Sequence, residues 1–126
     1  MRRCILGFTP PGARLVCDIA ETPEQIAKGL GGRKGLGPNE GMLFIMPEVK
    51  IQRFWMKGVT FQLDLLFFGP GATLLGALEW VPPGPPLVLW GIDEPSRWVV
   101  EAPAGWMSRV GVKQGCRLST AGWVKE

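Results

Sequence analysis

The chain has 126 residues, of which 46% are hydrophobic and 20% are charged, as expected for one globular domain with its own core. Its formal net charge of +3 arises from 14 basic and 11 acidic residues, a balance that argues against a nucleic-acid partner. Histidine is absent, which excludes the Ser/His/Asp and Cys/His catalytic arrangements and the HExxH metal motif.

The N-terminus and the cysteines indicate whether the protein is exported and whether it binds a metal. The apolar run from Cys4 to Phe8 is too short for the core of a signal peptide, and no apolar run reaches the roughly 18 residues that a membrane-spanning helix needs. Cys4, Cys17 and Cys116 are an odd number without metal-binding spacing, which favours buried free thiols. We therefore expect a soluble, cytoplasmic domain with no cofactor, no metal and no membrane partner.

Two strands, Arg3–Phe8 and Arg14–Ala20, are predicted first, on either side of a turn rich in proline and glycine. A single short helix follows them. Its N-terminus is marked by Thr22 as N-cap, by Pro23 at the first helical position and by Gln25, which completes a T-x-x-Q capping box.

The glycine-rich segment Gly29–Gly41 has the composition of a phosphate-binding loop but not its spacing. It matches neither GxGxxG nor GxxxxGK followed by Ser or Thr. It also follows the helix C-terminus, whereas phosphate is drawn to a helix N-terminus. We interpret it as a surface loop in which Arg33 is a candidate contact for an anion.

The rest of the chain is also predicted to form a sheet. Proline supplies no N–H for a β-ladder, so Val81–Pro86 is expected to be a stiff connection, and Ala104–Gly115 a short irregular or helical link. The remaining predicted strands are Gly41–Met46, Phe54–Lys57, Leu63–Phe68, Thr73–Val81, Trp98–Ala102 and Arg117–Val124. This pattern predicts a mainly β (α+β) fold over residues 1–126, either a single compact β-barrel or a two-layer sandwich.

Two carboxylates lie within apolar predicted strands. Side chains alternate along a strand, so Asp64 shares a face with Leu66 and Phe68, and Glu101 shares a face with Val99. An isolated buried charge costs more than a small domain can offset. Each acid therefore needs a charged partner, several hydrogen bonds or a raised pKa.

Two interpretations of these acids remain open. If their strands are neighbours, both acids converge with Lys57 on one pocket that suits flat-faced ligands. The predicted walls of that pocket are Trp55, Trp98 and Trp106. In the structural alternative, the acids cap backbone N–H groups or pair with a cation. The cations considered for this role are Lys57, Arg53 and Arg109.

Several short motifs follow one another along most of the chain. They are Gly29–Leu30 with Arg33, GMLF at Gly41–Phe44, FWMK at Phe54–Lys57, LD at Leu63–Asp64, VVEAPAG at Val99–Gly105, and Gly111–Gly115. From about Arg14 onward, they resemble the motifs of the DUF192 family. The residues that depart from the usual pattern are Gly31, Gly58, Val59, Gln62 and Cys116. The resemblance implies a small β-rich single domain, often exported, without an established activity.

Three functions fit these observations. The favoured hypothesis is a non-enzymatic module that binds a small polar ligand or a peptide, and its candidate ligand-binding residues are Trp55, Lys57, Asp64, Glu101, Trp106 and Arg33. The second is a hydrolase, for example on glycosides, with Asp64 and Glu101 as a carboxylate pair about 5 to 10 Å apart. The third is a partner or homodimer surface on an exposed strand edge or an apolar patch.

Overall fold

A seven-stranded sheet and two short helices make up the computed structural model, which describes residues 1–84 and 88–124. The strands are β1 (Arg3–Thr9), β2 (Ala13–Ala20), β3 (Glu40–Ile51), β4 (Leu63–Phe68), β5 (Leu74–Val81), β6 (Pro95–Pro103) and β7 (Arg117–Val124). The helices are α1 (Pro23–Lys28) and α2 (Trp106–Val110). The predicted mainly β fold is confirmed, with α2 as a second helix inside the predicted link.

The sheet curls, so that its two edge strands approach each other at one end. The strand order is β5-β4-β6-β3-β2-β1-β7, so β5 and β7 are the edges. Near their first residues, the N–H of Leu74 donates to the carbonyl of Cys116 at 2.9 Å, and that of Leu118 to the carbonyl of Ala72 at 2.8 Å. The result is a half-barrel built from one sheet, and not the two layers of a sandwich.

Helix α1 connects β2 to β3, which pair in parallel. It begins with the predicted capping box, in which Thr22 Oγ1 accepts from the N–H of Gln25 at 3.2 Å and Gln25 Oε1 accepts from the N–H of Thr22 at 3.1 Å. Parallel neighbours need such a crossover connection.

Within the described residues, no helix is long and apolar enough to cross a membrane. Of the predicted stiff connection, residues 82–84 lie outside the strands, whereas Pro85 and Pro86 lie outside the described residues.

The FWMK motif is not a strand, and this prediction is wrong. Both sides of β6 are already occupied, by β3 and β4, so the motif has no ladder position beside it. It remains extended, with Phe54 and Met56 buried and Trp55 and Lys57 exposed. Two hydrogen bonds between Phe54 and Trp90, at 2.8 and 2.7 Å, hold the segment in place. Buried and exposed side chains therefore alternate along this segment as they would in a strand, although it is not part of the sheet.

Buried side chains cover both faces of the sheet. The inner core, inside the curl, draws on all the strands and on α2, and includes Phe8, Leu66, Phe68, Val100 and Trp106. The outer core lies on the other face, beneath α1 and the FWMK motif, and includes Phe44, Phe54, Leu65, Phe67 and Val99. The three cysteines are buried and free, as predicted.

Gly41 lies where β3 passes close to the backbone of β6. A Cβ at this position would contact the carbonyl oxygen of Glu101, and would lie 2.8 Å from Cδ2 of Leu15. Because backbone atoms cannot rotate away, we expect Gly41→Ala to lower the free energy of unfolding by about 1–3 kcal/mol, measured by urea denaturation. Gly35→Ala is the control, since nothing lies within 4 Å of its added Cβ. Equal losses in the two variants would contradict the close-approach argument.

Candidate functional site

Asp64 and Glu101 lie on opposite faces of the sheet. In the β4–β6 ladder, Asp64 pairs with Ala102 and Glu101 pairs with Leu65. Ala102 belongs to the inner core, whereas Leu65 belongs to the outer core. The predicted convergence of the two acids on one pocket is therefore wrong. Directly paired residues share a face, and the next pair along the ladder points to the other.

Backbone N–H groups surround the carboxylate of Asp64, whose side chain is 0% exposed. Oδ1 accepts from the N–H of Trp80 at 3.0 Å and of Gly105 at 3.1 Å, and Oδ2 accepts from the N–H of Met107 at 3.0 Å. Hydrogen bonds to an ionised acceptor are stronger than neutral ones and offset its desolvation. For Asp64, the structure thus supports the backbone-capping form of the structural alternative.

The backbone is irregular where it meets Asp64. The β4–β5 register shifts at this residue, so that Glu79 and Trp80 together lie opposite Asp64 in a β-bulge. Trp80 has a φ of 56° and Gly105 a φ of 83°, both in the left-handed region. The N–H groups of these two unusual residues are two of the three donors to Asp64. The carboxylate therefore stabilises both the bulge and the turn that leads into α2.

Glu101 lies on the outer face against a cavity of about 290 Å³, which we call the Glu101 cavity. The cavity is lined by residues of α1 and of the turn after it, by Phe44 and Met46 of β3, and by residues between Arg53 and Val59. Glu101 itself is only 3% exposed. It forms part of the buried wall of a largely apolar cavity.

The carboxyl group of Glu101 has no hydrogen-bond or ion-pair partner among the described residues. Burial raises its pKa from the usual 4.5 to about 8, because the cavity walls solvate a carboxylate poorly. At pH 7 the group is therefore mostly the neutral acid, with one O–H donor and one carbonyl acceptor. Its position leaves both groups accessible to an occupant of the cavity.

Three cationic side chains also line the Glu101 cavity. Lys57 Nζ lies 5.4 Å from the centroid of the Trp55 ring, in a cation–π contact. Arg53 is engaged by Asp93, at 2.6 Å. Lys28, in the last turn of α1, and Lys57 form no ion pair with the described residues. Two cations thus remain free to meet an anionic group.

The predicted tryptophan wall does not form. Trp106 is 1% exposed and packs edge-on against Phe8 in the inner core, with 5.0 Å between the ring centroids. Trp98 also packs against the inner core. Trp55 is on the other side of the sheet, 45% exposed, and lines the Glu101 cavity.

Of the six predicted site residues, the structure brings three together. Trp55, Lys57 and Glu101 line the Glu101 cavity, whereas Asp64 and Trp106 lie on the inner face. Arg33, predicted to meet an anion, instead pairs with Asp18 at 2.8 Å. No cluster of three or more potential metal ligands occurs in residues 1–84 and 88–124.

Sequence reasoning missed the part of the site that α1, β3 and Arg53 supply. Lys28, Ile26, Phe44 and Arg53 line the cavity, but none carries a local signal for this role. Buried and exposed side chains alternate along the FWMK motif, but this pattern does not indicate what the exposed ones face. The packing of α1 over the same face is a long-range contact, and no sequence pattern indicated it.

The hydrogen bonds of Asp64 lead to a prediction for Asp64→Asn. An amide replaces one acceptor oxygen with an NH₂ donor, so at least one of the three N–H groups loses its acceptor. We expect the free energy of unfolding to fall by about 2–4 kcal/mol in urea denaturation. Asp93→Asn is the matched control, because its partner is Arg53 and its side chain is 91% exposed; we expect less than about 1 kcal/mol there. Similar losses would argue against the structural role of Asp64.

Glu101 predicts a pH dependence of stability. Because its pKa rises from 4.5 unfolded to about 8 folded, the folded protein keeps a proton that the unfolded chain releases. This stabilisation is complete below pH 4.5 and is lost as the pH rises to about 8, with a slope approaching about 1.4 kcal/mol per pH unit. Glu101→Gln does not titrate, so its stability should fall less steeply from pH 5 to 8 in urea denaturation. Parallel curves for the two proteins would contradict the raised pKa.

The whole fold is shared with other proteins. The crystal structure of "a putative transcription regulator" from Sinorhizobium meliloti 1021 superimposes with a TM-score of 0.86 and 31% identity, covering 96% of this chain and 95% of that one. A protein of unknown function from Novosphingobium aromaticivorans DSM 12444 gives a TM-score of 0.84 and 27% identity, over 93% of this chain and 84% of that one. Curated proteins yield no match. The model of the DUF192 family, described as "Uncharacterized ACR", matches residues 8–120, and the chain therefore belongs to this family.

Proposed function

We propose that this domain is a non-enzymatic binding module that holds a small ligand in the Glu101 cavity. The proposal retains Trp55, Lys57 and Glu101 from the sequence-based hypothesis. It leaves out Asp64, which is satisfied by backbone N–H groups on the other face of the sheet. The ligand would have an apolar body, to match the walls, and a polar atom that meets Glu101.

The unpartnered carboxyl group of Glu101 is the observation that carries this proposal. Glu101 presents its carboxyl group to the cavity, and small-ligand sites combine apolar walls with a few such polar groups. A ligand that accepts a hydrogen bond from Glu101 would give this group the partner that the described residues do not supply. The cavity volume of about 290 Å³ is near the lower end for known ligand pockets, so it favours a small molecule over a long peptide segment.

The arrangement gives no support to the carboxylate-pair hydrolase. That mechanism needs two acids facing one substrate across an open cleft. Among the described residues, Glu101 is the only acid that lines the cavity, and Asp64 is buried in the inner face. Binding requires only the groups that the cavity does present.

Occupancy of the cavity can be tested with 1,8-octanediol, a neutral probe with an apolar chain and a hydroxyl at each end. At ten times its dissociation constant, it should stabilise the protein by about 1.4 kcal/mol and raise the melting temperature by several degrees. In ¹H–¹⁵N spectra, we expect the amide shifts to change in α1 and between Arg53 and Val59.

A variant that blocks the cavity separates specific binding from general solvent effects. Ala27 is exposed on α1 and lines the cavity, so Ala27→Trp should cover it and abolish both responses. Ala121→Trp on β7, which lies outside the cavity, should keep them. If the diol shifts amides throughout the protein, or acts equally on both variants, the proposed site is wrong.

A further inference from the structure

We infer that the Glu101 cavity selects an apolar monocarboxylate that carries a hydroxyl or carbonyl oxygen at its far end. This inference rests on the proposed function and names the ligand class of the same site. The carboxylate would lie within reach of Lys28 and Lys57, the apolar chain against the walls, and the far oxygen at Glu101.

The walls set the size and character of the ligand body. Ile26, Leu30, Phe44, Phe54 and Val59 supply apolar surface. A cavity of about 290 Å³ is near the lower end for ligand pockets. A chain of about eight carbons with a polar group at each end is therefore a suitable small probe.

The charges around the cavity favour an anion. The charged or titratable residues that line it are Lys28, Arg53, Lys57 and Glu101. Arg53 is engaged by Asp93, and Glu101 is mostly neutral at pH 7, since burial raises its pKa to about 8. Lys28 and Lys57 remain, so the net field in the cavity is positive and attracts a carboxylate.

The two polar ends of the ligand meet different environments. Lys28 and Lys57 are exposed, so a carboxylate beside them keeps part of its hydration and avoids the cost of burying a charge. Glu101 is buried and offers an O–H donor, which needs a neutral acceptor oxygen. An ammonium group would instead approach two lysines, and would have to draw the proton off Glu101 to form an ion pair.

Three probes that differ only at one end test the inference: 8-hydroxyoctanoate, 1,8-octanediol and 8-amino-1-octanol. By titration at pH 7 and low salt, the hydroxy acid should bind about tenfold more tightly than the diol, and the amino alcohol most weakly. Lys28→Met and Lys57→Met should each weaken the hydroxy acid about two- to fivefold more than they weaken the diol. Lys113→Met, an exposed lysine outside the cavity, should change neither.

The far end is tested separately, with octanoate and Glu101→Leu. The native protein should prefer 8-hydroxyoctanoate to octanoate, and Glu101→Leu should lose this preference. A diol that binds as tightly as the hydroxy acid, or an amino alcohol that binds most tightly with proton release from Glu101, would overturn the inference and leave the proposed function standing. If none of the probes binds at the cavity, both are wrong.

Discussion

A single buried carboxylate connects three irregular parts of this domain. Asp64 accepts hydrogen bonds from Trp80 in the β4–β5 bulge, from Gly105 in the turn after β6, and from Met107 in α2. Trp80 lies in one segment, whereas Gly105 and Met107 are two residues apart in another, so Asp64 joins two segments that are distant in sequence from it and from each other. Their common acceptor holds the edge of the sheet, the turn and the second helix together, because each N–H would otherwise lose its acceptor.

The neighbouring pair in the same ladder shows how environment decides the role of an acid. Glu101 pairs with Leu65, next to Asp64 and Ala102, yet it faces the outer side of the sheet. There it meets apolar side chains in place of backbone donors, and burial raises its pKa to about 8. Two carboxylates in adjacent pairs of one ladder thus have different environments and roles. Asp64 stabilises the fold, whereas Glu101 lies in the wall of a cavity without a partner among the described residues.

The Glu101 cavity lies between the sheet, α1 and the FWMK motif. With β3 and β4 on either side of β6, the motif lies over the outer face as an extended segment attached through Phe54 and Trp90. Together with α1, it borders the space above Glu101. The same displacement brings Trp55 and Lys57 to the cavity while Phe54 and Met56 complete the outer core.

The sequence by itself determined the features that depend on local periodicity and on residues with special backbone chemistry. Alternating and continuous apolar runs predicted most of the strands, the Thr22–Gln25 capping box predicted α1, and the ordered motifs indicated the family. The presence of Asp64 and Glu101 in apolar strands also showed that each needed an unusual environment. Only the tertiary structure decided what that environment is, since ladder register assigns the two acids to opposite faces and long-range packing brings three backbone donors to one and a cavity to the other. Register and packing depend on contacts between distant segments, and no local pattern in one sequence specifies them.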